Sequence, residues 1–290
     1  MTLLNRQVAI VNFAPLKPQF VGIWAGAYAS LPGLPLAPAL RSPMQRNARE
    51  KAPADGSSLP AVALKIAGLI EKLKAAYNLF FGGKFGEAKD EFDTILRHIP
   101  LTVAQTRSEA NELKELLEIC REYVTAIRLK NAMGDAADDP VRATELSAYF
   151  THCNLQPAHL MLALNLAMTS SFKAKNFITA AGFARRLLEL PDVASEKNAQ
   201  VRSKAQKVLQ KSEAQARNEH ELAYDERNPF VVCAADLVPI YRGSPLVRCT
   251  LCKANYTPAH KGQKCVNCLV GEVGGEAAGL DESAVLSRDH

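Results

Sequence analysis

The sequence predicts a mainly α-helical fold with an N-terminal β-hairpin arm and a small C-terminal β segment. Three observations support this prediction. Apolar residues recur with helical spacing through the middle of the chain, β-branched runs separated by prolines lie near its start, and four cysteines cluster near its end. Hydrophobic residues make up 48% of the 290 positions, so the chain can bury a large core.

Composition divides the chain into four regions: an extended arm over residues 1–41, a polar linker over 42–59, a helical domain over 60–223, and a small strand-rich segment with a tail over 224–290. In the arm, two runs rich in β-branched and aromatic side chains, 7–13 and 20–24, flank two prolines that favour a turn. Because two strands alone are marginally stable in water, we expect this hairpin to pack on a partner or back on the helices.

Helices in the middle region are predicted from apolar residues at positions i, i+4 and i+7. Gly82 ends the first helix and Pro157 begins a later one, since proline is tolerated in the first turn. Residues 131–140 are predicted to form a loop, and the last helix is expected over about 193–218.

Two helix pairs look alike in sequence. Segments 76–92 and 171–183 each contain a short basic turn, a phenylalanine, small residues and a further aromatic residue, as in a tetratricopeptide hairpin. They lie far apart and no clear period links them. A helical bundle and degenerate tetratricopeptide-like helix hairpins therefore both remain open as descriptions of this domain.

The C-terminal cysteines follow a C-x2-C-x12-C-x2-C pattern. Two thiolates separated by two residues can curl around one ion, and a second pair completes a tetrahedron, so the pattern predicts a closed, structural Zn2+ site in a zinc-ribbon-like segment. A disulfide pair or plain buried thiols are the alternatives, and His260 fits less well as a replacement ligand. The predicted ligands are Cys249, Cys252, Cys265 and Cys268.

No arrangement of residues predicts an enzyme or a small-molecule substrate. Lys84 follows two glycines but lacks the spacing of a phosphate-binding loop, and the neighbours His152 and Cys153 do not amount to a base facing a nucleophile. The glycines from Gly271 onward are expected to lie in a flexible tail. Residues 18–40 are uncharged, but their glycines and prolines argue against a membrane span.

The absence of a secretory signal at the start predicts a reducing, cytoplasmic location. The net charge of +5 is too modest to indicate nucleic acid by itself. A zinc-ribbon nucleic-acid-binding protein is the alternative, suggested by the cysteines, the pI of about 8.8 and a basic last helix. It would need aromatic residues around the ribbon, and only Tyr256 lies between the cysteine pairs. A metalloenzyme would need an open coordination position and a general base, and the sequence indicates neither.

Four segments, 6–18, 148–157, 183–190 and 228–243, together resemble the C-terminal domain of the alpha subunit of coatomer, the COPI vesicle coat. The resemblance covers nearly the whole chain and implies a fragment of a longer subunit whose N-terminal propeller domains are not in this sequence. Because members of the family differ in the cysteine segment, Zn2+ is a prediction from this sequence alone.

The resemblance also implies a function. It implies a coat scaffold in Golgi-to-ER and intra-Golgi transport, attached peripherally to the Golgi membrane and to vesicles and assembled with other coatomer subunits. In this family the epsilon subunit, a tetratricopeptide protein, wraps around an extended arm. The candidate partner-binding residues are the apolar side chains of the arm: Val8, Ile10, Phe13, Phe20, Ile23 and Trp24.

Overall fold

The structure, a computed structural model, describes residues 9–26, 28–31, 40–43, 64–102, 104 and 106–276. Within these ranges the chain is mainly helical, with short antiparallel strands near both ends. The helices are α1 (Lys17–Gly26), α2 (Ile66–Phe81), α3 (Phe85–His98), α4 (Arg107–Asp135), α5 (Pro140–Phe150), α6 (Pro157–Lys173), α7 (Phe177–Glu189) and α8 (Ala199–Ala214). The strands are β1 (Tyr28–Leu31), β2 (Leu40–Pro43), β3 (Phe230–Val232), β4 (Pro239–Tyr241), β5 (Val247–Arg248) and β6 (Asn255–Tyr256).

Each helix from α2 to α8 packs against the next in the sequence, and α6 also contacts α8. The prediction of a mainly helical protein is confirmed, and the array is consistent with a helical bundle. The α2–α3 and α6–α7 pairs are the two hairpins that look alike in sequence. Both turn through a left-handed residue, Gly83 (φ 75°) and Lys175 (φ 58°). Both are closed by 2.9 Å backbone hydrogen bonds, from Lys84 and from Asn176 to the carbonyl five residues earlier.

Aromatic side chains fill the centre of the larger core. The ring of Tyr123 on α4 stacks on Phe92 of α3 at 4.8 Å between centroids and meets the edge of Phe80 of α2 at 5.0 Å. The core continues from α2–α5 into the C-terminal residues, whereas a second cluster joins the packed faces of α6, α7 and α8. The strand-rich C-terminal residues therefore share a core with the helices.

Two predicted segments in the helical domain have wrong boundaries, and the last helix also ends earlier than predicted, at Ala214. Helix α4 continues to Asp135 through part of the expected 131–140 loop, because Ala132 and Met133 still pack on the core. The last helix starts at Ala199, after 3-10 turns, because the buried side chain of Val193 holds the preceding segment in a different geometry. Both errors occur where tertiary packing overrides local sequence signals.

The predicted β-hairpin over 7–13 and 20–24 is also wrong, because residues 20–24 lie in α1. The prolines that suggested a turn instead start helical structure: Pro15 lies in a 3-10 turn over Ala14–Leu16, and Pro18 lies in the first turn of α1. The arm does contain an antiparallel pair further along, where β1 pairs with β2. Residues 7 and 8 lie outside the described part of the chain.

The strands predicted after residue 229 are present. β3 pairs with β4 in antiparallel register, Val231 opposite Ile240, and β5 pairs with β6. We refer to residues 228–276 as the C-terminal module. In the described part of the chain, no helix combines the length and the apolar character needed to cross a membrane.

Candidate metal centre

The four cysteines of the predicted site converge inside the C-terminal module. We refer to Cys249, Cys252, Cys265 and Cys268 as the cysteine quartet. All four are buried, and their sulfur atoms lie within 4.8 Å of one another. Two of these separations are 3.7 Å, Cys249 to Cys268, and 3.5 Å, Cys252 to Cys265. A tetrahedral ion with sulfur ligands at about 2.3 Å requires edges of about 3.8 Å, so the quartet is compatible with a zinc ion.

The same backbone turn is built twice around this site. The residue that follows each pair, Lys253 (φ 59°) or Leu269 (φ 62°), is left-handed. The amides of these two residues donate to the carbonyls of Cys249, at 3.1 Å, and of Cys265, at 3.0 Å. Because the chain reverses directly after the second cysteine of each pair, both sulfurs of a pair point to one centre.

Gly271 closes the site from behind. A Cβ atom at this position would lie 2.8 Å from the sulfur of Cys249 and 3.1 Å from the Cβ of Leu251, so no larger residue fits without displacement. Its neighbours Val270 and Val273 are fully buried. The expectation of a flexible tail is therefore wrong for residues 271–276: this glycine serves close packing. Residues 277–290 lie outside the described part.

Tyr256 orients one of the sulfurs. Its hydroxyl accepts a 3.0 Å hydrogen bond from the amide of Val266 and lies 3.0 Å from the sulfur of Cys265, to which it therefore donates. Although burial would raise it, the pKa of the Cys265 thiol lies well below its ordinary value because the other three thiols and this hydroxyl donate to its sulfur. The pKa values of the Cys252 and Cys268 thiols instead lie well above the ordinary value, because hydrogen bonds with Cys249 and burial raise them. Thiolate, the form that binds metal, is therefore favoured at Cys265.

The alternatives to a metal site fare less well. All seven cysteines are free, and the sulfur separations of 3.7 Å and 3.5 Å within the quartet are far longer than the roughly 2.05 Å bond of a disulfide. His260 does not replace a cysteine, because its Nε2 atom contacts Asp236 at 2.8 Å. Cys153 is buried in the helical domain, and burial raises the pKa of its thiol well above the usual value, which disfavours a nucleophile.

The start of the chain completes the C-terminal module, which the sequence did not suggest. The amides of Val11 and Asn12 donate to the carbonyl of Val270 at 3.0 and 3.2 Å, and the amide of Glu272 donates to the carbonyl of Ala9. Ile10 is fully buried between them. The β-branched run at 7–13 was a signal for a strand, but the residue that pairs with it lies near the other end of the sequence, Ile10 opposite Gly271.

This arrangement separates the candidate partner-binding residues. Ile10, a candidate partner-binding residue, is fully buried in the core of the chain itself. Phe13 and Phe20 are half-buried against the same core. Val8 and the side chains of Ile23 and Trp24 lie outside the described part of the structure.

The whole chain matches a known family. The family model described as the C-terminus of the coatomer (COPI) alpha subunit matches residues 1–288. The chain is 43% identical over 280 residues to coatomer subunit alpha-1 of Arabidopsis thaliana, covering 97% of this chain and 23% of the relative. It is 41% identical over 290 residues to coatomer subunit alpha of Dictyostelium discoideum, covering 97% of this chain and 22% of the relative.

The chain thus spans less than a quarter of the length of these relatives. The more distant coatomer subunit alpha of Saccharomyces cerevisiae is 28% identical over 279 residues, which cover 96% of this chain. These comparisons indicate no catalytic family and do not favour a nucleic-acid-binding protein. The resemblance that four segments of the sequence suggested is confirmed: the chain belongs to the family defined by the C-terminus of the coatomer (COPI) alpha subunit.

Proposed function

We propose that this chain is an assembly module of the COPI coat, which binds the epsilon subunit and supports Golgi-to-ER and intra-Golgi transport at the cytoplasmic face of the membrane. The match of residues 1–288 to the coatomer alpha C-terminus carries this proposal. Relatives named as coatomer alpha subunits support it. Contacts with the other coatomer subunits belong to the same proposal.

The arm is the proposed epsilon-binding element. Residues 10–16, which we call the root of the arm, are fixed on the rest of the chain. Ile10 and Leu16 are fully buried in the chain, so the segment that precedes α1 is held on the C-terminal module. From this root the chain presents Val11, 47% exposed, and Val21, 53% exposed. An anchored root reduces the conformational entropy lost when the following residues bind, which favours association.

Co-expression with a coatomer epsilon subunit tests this proposal. We expect one stoichiometric complex in size-exclusion chromatography. Replacing Phe20 and Trp24 together by serine should abolish it while leaving the helical circular dichroism unchanged. Phe81→Ser is the matched control, because this aromatic residue at the end of α2 is 56% exposed and is not part of the arm. A folded chain that forms no complex would contradict the proposal, as would a double variant that binds normally.

We further propose that the cysteine quartet holds one structural Zn2+ ion. The four buried sulfurs, the repeated turn and the Tyr256 hydroxyl support this assignment. All four positions would be filled by protein, so the ion would stabilise the module and not react. Elemental analysis of the purified chain tests it: Cys268→Ser should lose the ion, and Cys120→Ser, at a buried thiol in α4, should keep it.

A further inference from the structure

A third copy of the quartet's turn lies between β3 and β4, in residues 233–238. Leu237 is left-handed (φ 55°), and its amide donates to the carbonyl of Cys233 at 3.0 Å. The amide of Cys233 donates to the carbonyl of Val238 at 2.9 Å, just as the amide of Cys249 donates to Ala254 at 2.9 Å. This turn therefore matches the first turn of the quartet, with aspartate, Asp236, in place of its second cysteine.

A third metal-binding side chain joins this turn from the loop between the cysteine pairs. His260 lies on a 3-10 turn, and its Nε2 atom is 2.8 Å from Oδ2 of Asp236. The sulfur of Cys233 is 3.4 Å from the same oxygen. The three ligand atoms all lie within 4.8 Å of one another, so one ion could contact all three.

Side chains around Asp236 and His260 hold them by hydrogen bonds, in the way that residues next to a metal site commonly hold the metal's ligands. The Nδ1 atom of His260 lies 2.9 Å from Oε1 of Gln263 and donates to it, which leaves Nε2 directed at the cluster. Thr257 donates to the carboxylate of Asp236 at 3.2 Å. A simple surface ion pair between Asp236 and His260 would not require the fully buried thiol of Cys233 beside it.

We propose that Cys233, Asp236 and His260 form a second Zn2+ site. Thiolate, carboxylate and imidazole are all common zinc ligands, and a soft sulfur ligand disfavours Mg2+ or Ca2+. The side chain of Asp236 is 43% exposed, so water can occupy the fourth position. This site differs from the closed quartet in having an open face. The ion would tie the β3–β4 turn to the loop between the two cysteine pairs.

The module is already fixed to the helices beside this site. Arg142 on α5 donates to the carbonyls of Asp236, at 3.3 Å, and of Leu237, at 3.1 Å. The turn that supplies two of the ligands is therefore held in place without metal. The site should be preformed, so variants at the exposed ligands should lose the ion without unfolding the chain.

Metal content of the full chain tests the proposal. After equilibration with zinc and gel filtration, we expect about two zinc ions per chain, one from each site. Asp236→Asn and His260→Gln should each reduce this to about one. The matched controls, Asp138→Asn and His220→Gln, change the same residue types outside both sets of ligands and should retain the wild-type content. Co2+ loaded into the wild type should show a second thiolate-to-metal absorption band that His260→Gln removes.

The outcome is separable from that of the quartet. Cys268→Ser should lose one ion and leave the ion that Asp236→Asn removes. Equal zinc content in the wild type, Asp236→Asn and His260→Gln would overturn the second site, whatever the quartet holds. A loss of the same size in the control variants would overturn it as well.

Discussion

The side-chain amide of Asn267 donates a 2.8 Å hydrogen bond to Oγ1 of Thr125, joining the second cysteine pair to the middle of α4. Both residues are buried, and the amide oxygen of Asn267 has no partner in the described structure. Thr125 in turn donates to the carbonyl of Arg121 within its own helix. The cysteine quartet is therefore connected to the helical core by a buried polar contact as well as by apolar packing.

Thr125→Val should lower the free energy of unfolding by about 1–3 kcal/mol, because the buried amide of Asn267 would lose its acceptor. Asn267→Ala should also destabilise the chain. The double variant should cost less than the sum of the two, since each single change breaks the same bond. Denaturant unfolding measures all three. Strictly additive losses would contradict a direct coupling between the module and α4.

Gly271→Ala should lower the zinc affinity of the quartet, because the new Cβ would lie 2.8 Å from the sulfur of Cys249 and displace it. Gly86→Ala is the control: it lies in α3, and nothing is within 4 Å of the added atom. The control should keep its zinc and gain up to about 1 kcal/mol of helix stability. Zinc release to a competing chelator measures the difference. Equal release from the two variants would count against the close approach at Gly271.

Tyr256→Phe should weaken zinc binding about 10- to 100-fold, as removal of an outer hydrogen-bond partner commonly does. The sulfur of Cys265 would lose a donor and the amide of Val266 an acceptor. Tyr224→Phe is a matched control, since its hydroxyl contacts His152, outside the module. Chelator competition again gives the affinities. An unchanged affinity in Tyr256→Phe would show that the hydroxyl serves packing alone.

Local patterns were sufficient for the parts of the fold that local interactions determine. Helical spacing predicted the α2–α3 and α6–α7 hairpins, and the cysteine spacing predicted the four side chains that converge. The spacing works because a left-handed residue such as Lys253 directly after each pair is enough to aim both sulfurs.

Contacts between distant parts of the chain were beyond local patterns. The strand signal at 7–13 was genuine for Ile10, but its partner, Gly271, is at the other end of the sequence. Residues 20–24 were wrongly paired with that run because β-branched composition also occurs in short helices that prolines begin. The cluster of Cys233, Asp236 and His260 was missed because Cys233 is followed three residues later by an aspartate and not by a second cysteine. Its histidine lies in a loop 24 residues after the aspartate.

The stability of the helical domain should fall on acidification because of His159. The hydroxyl oxygen of Tyr123 accepts a 3.0 Å hydrogen bond from the amide of Gln156. The hydroxyl therefore donates its own hydrogen bond to Nδ1 of His159, 2.6 Å away. The imidazole is therefore held neutral, and burial lowers its pKa below the usual 6.5. Below about pH 6.5 the unfolded chain takes up a proton that the folded chain does not.

His159 thus contributes its full share of stability at pH values above its pKa in the unfolded chain. That share is lost as the pH falls towards its lower pKa in the folded chain. The free energy of unfolding should decline by up to about 1.4 kcal/mol per pH unit in that window. His159→Gln keeps an acceptor for Tyr123 but cannot titrate, so its stability should depend less on pH. Denaturant unfolding between about pH 5 and 7.5 compares the slopes, and equal slopes in the wild type and His159→Gln would mean that the imidazole is not kept neutral by burial.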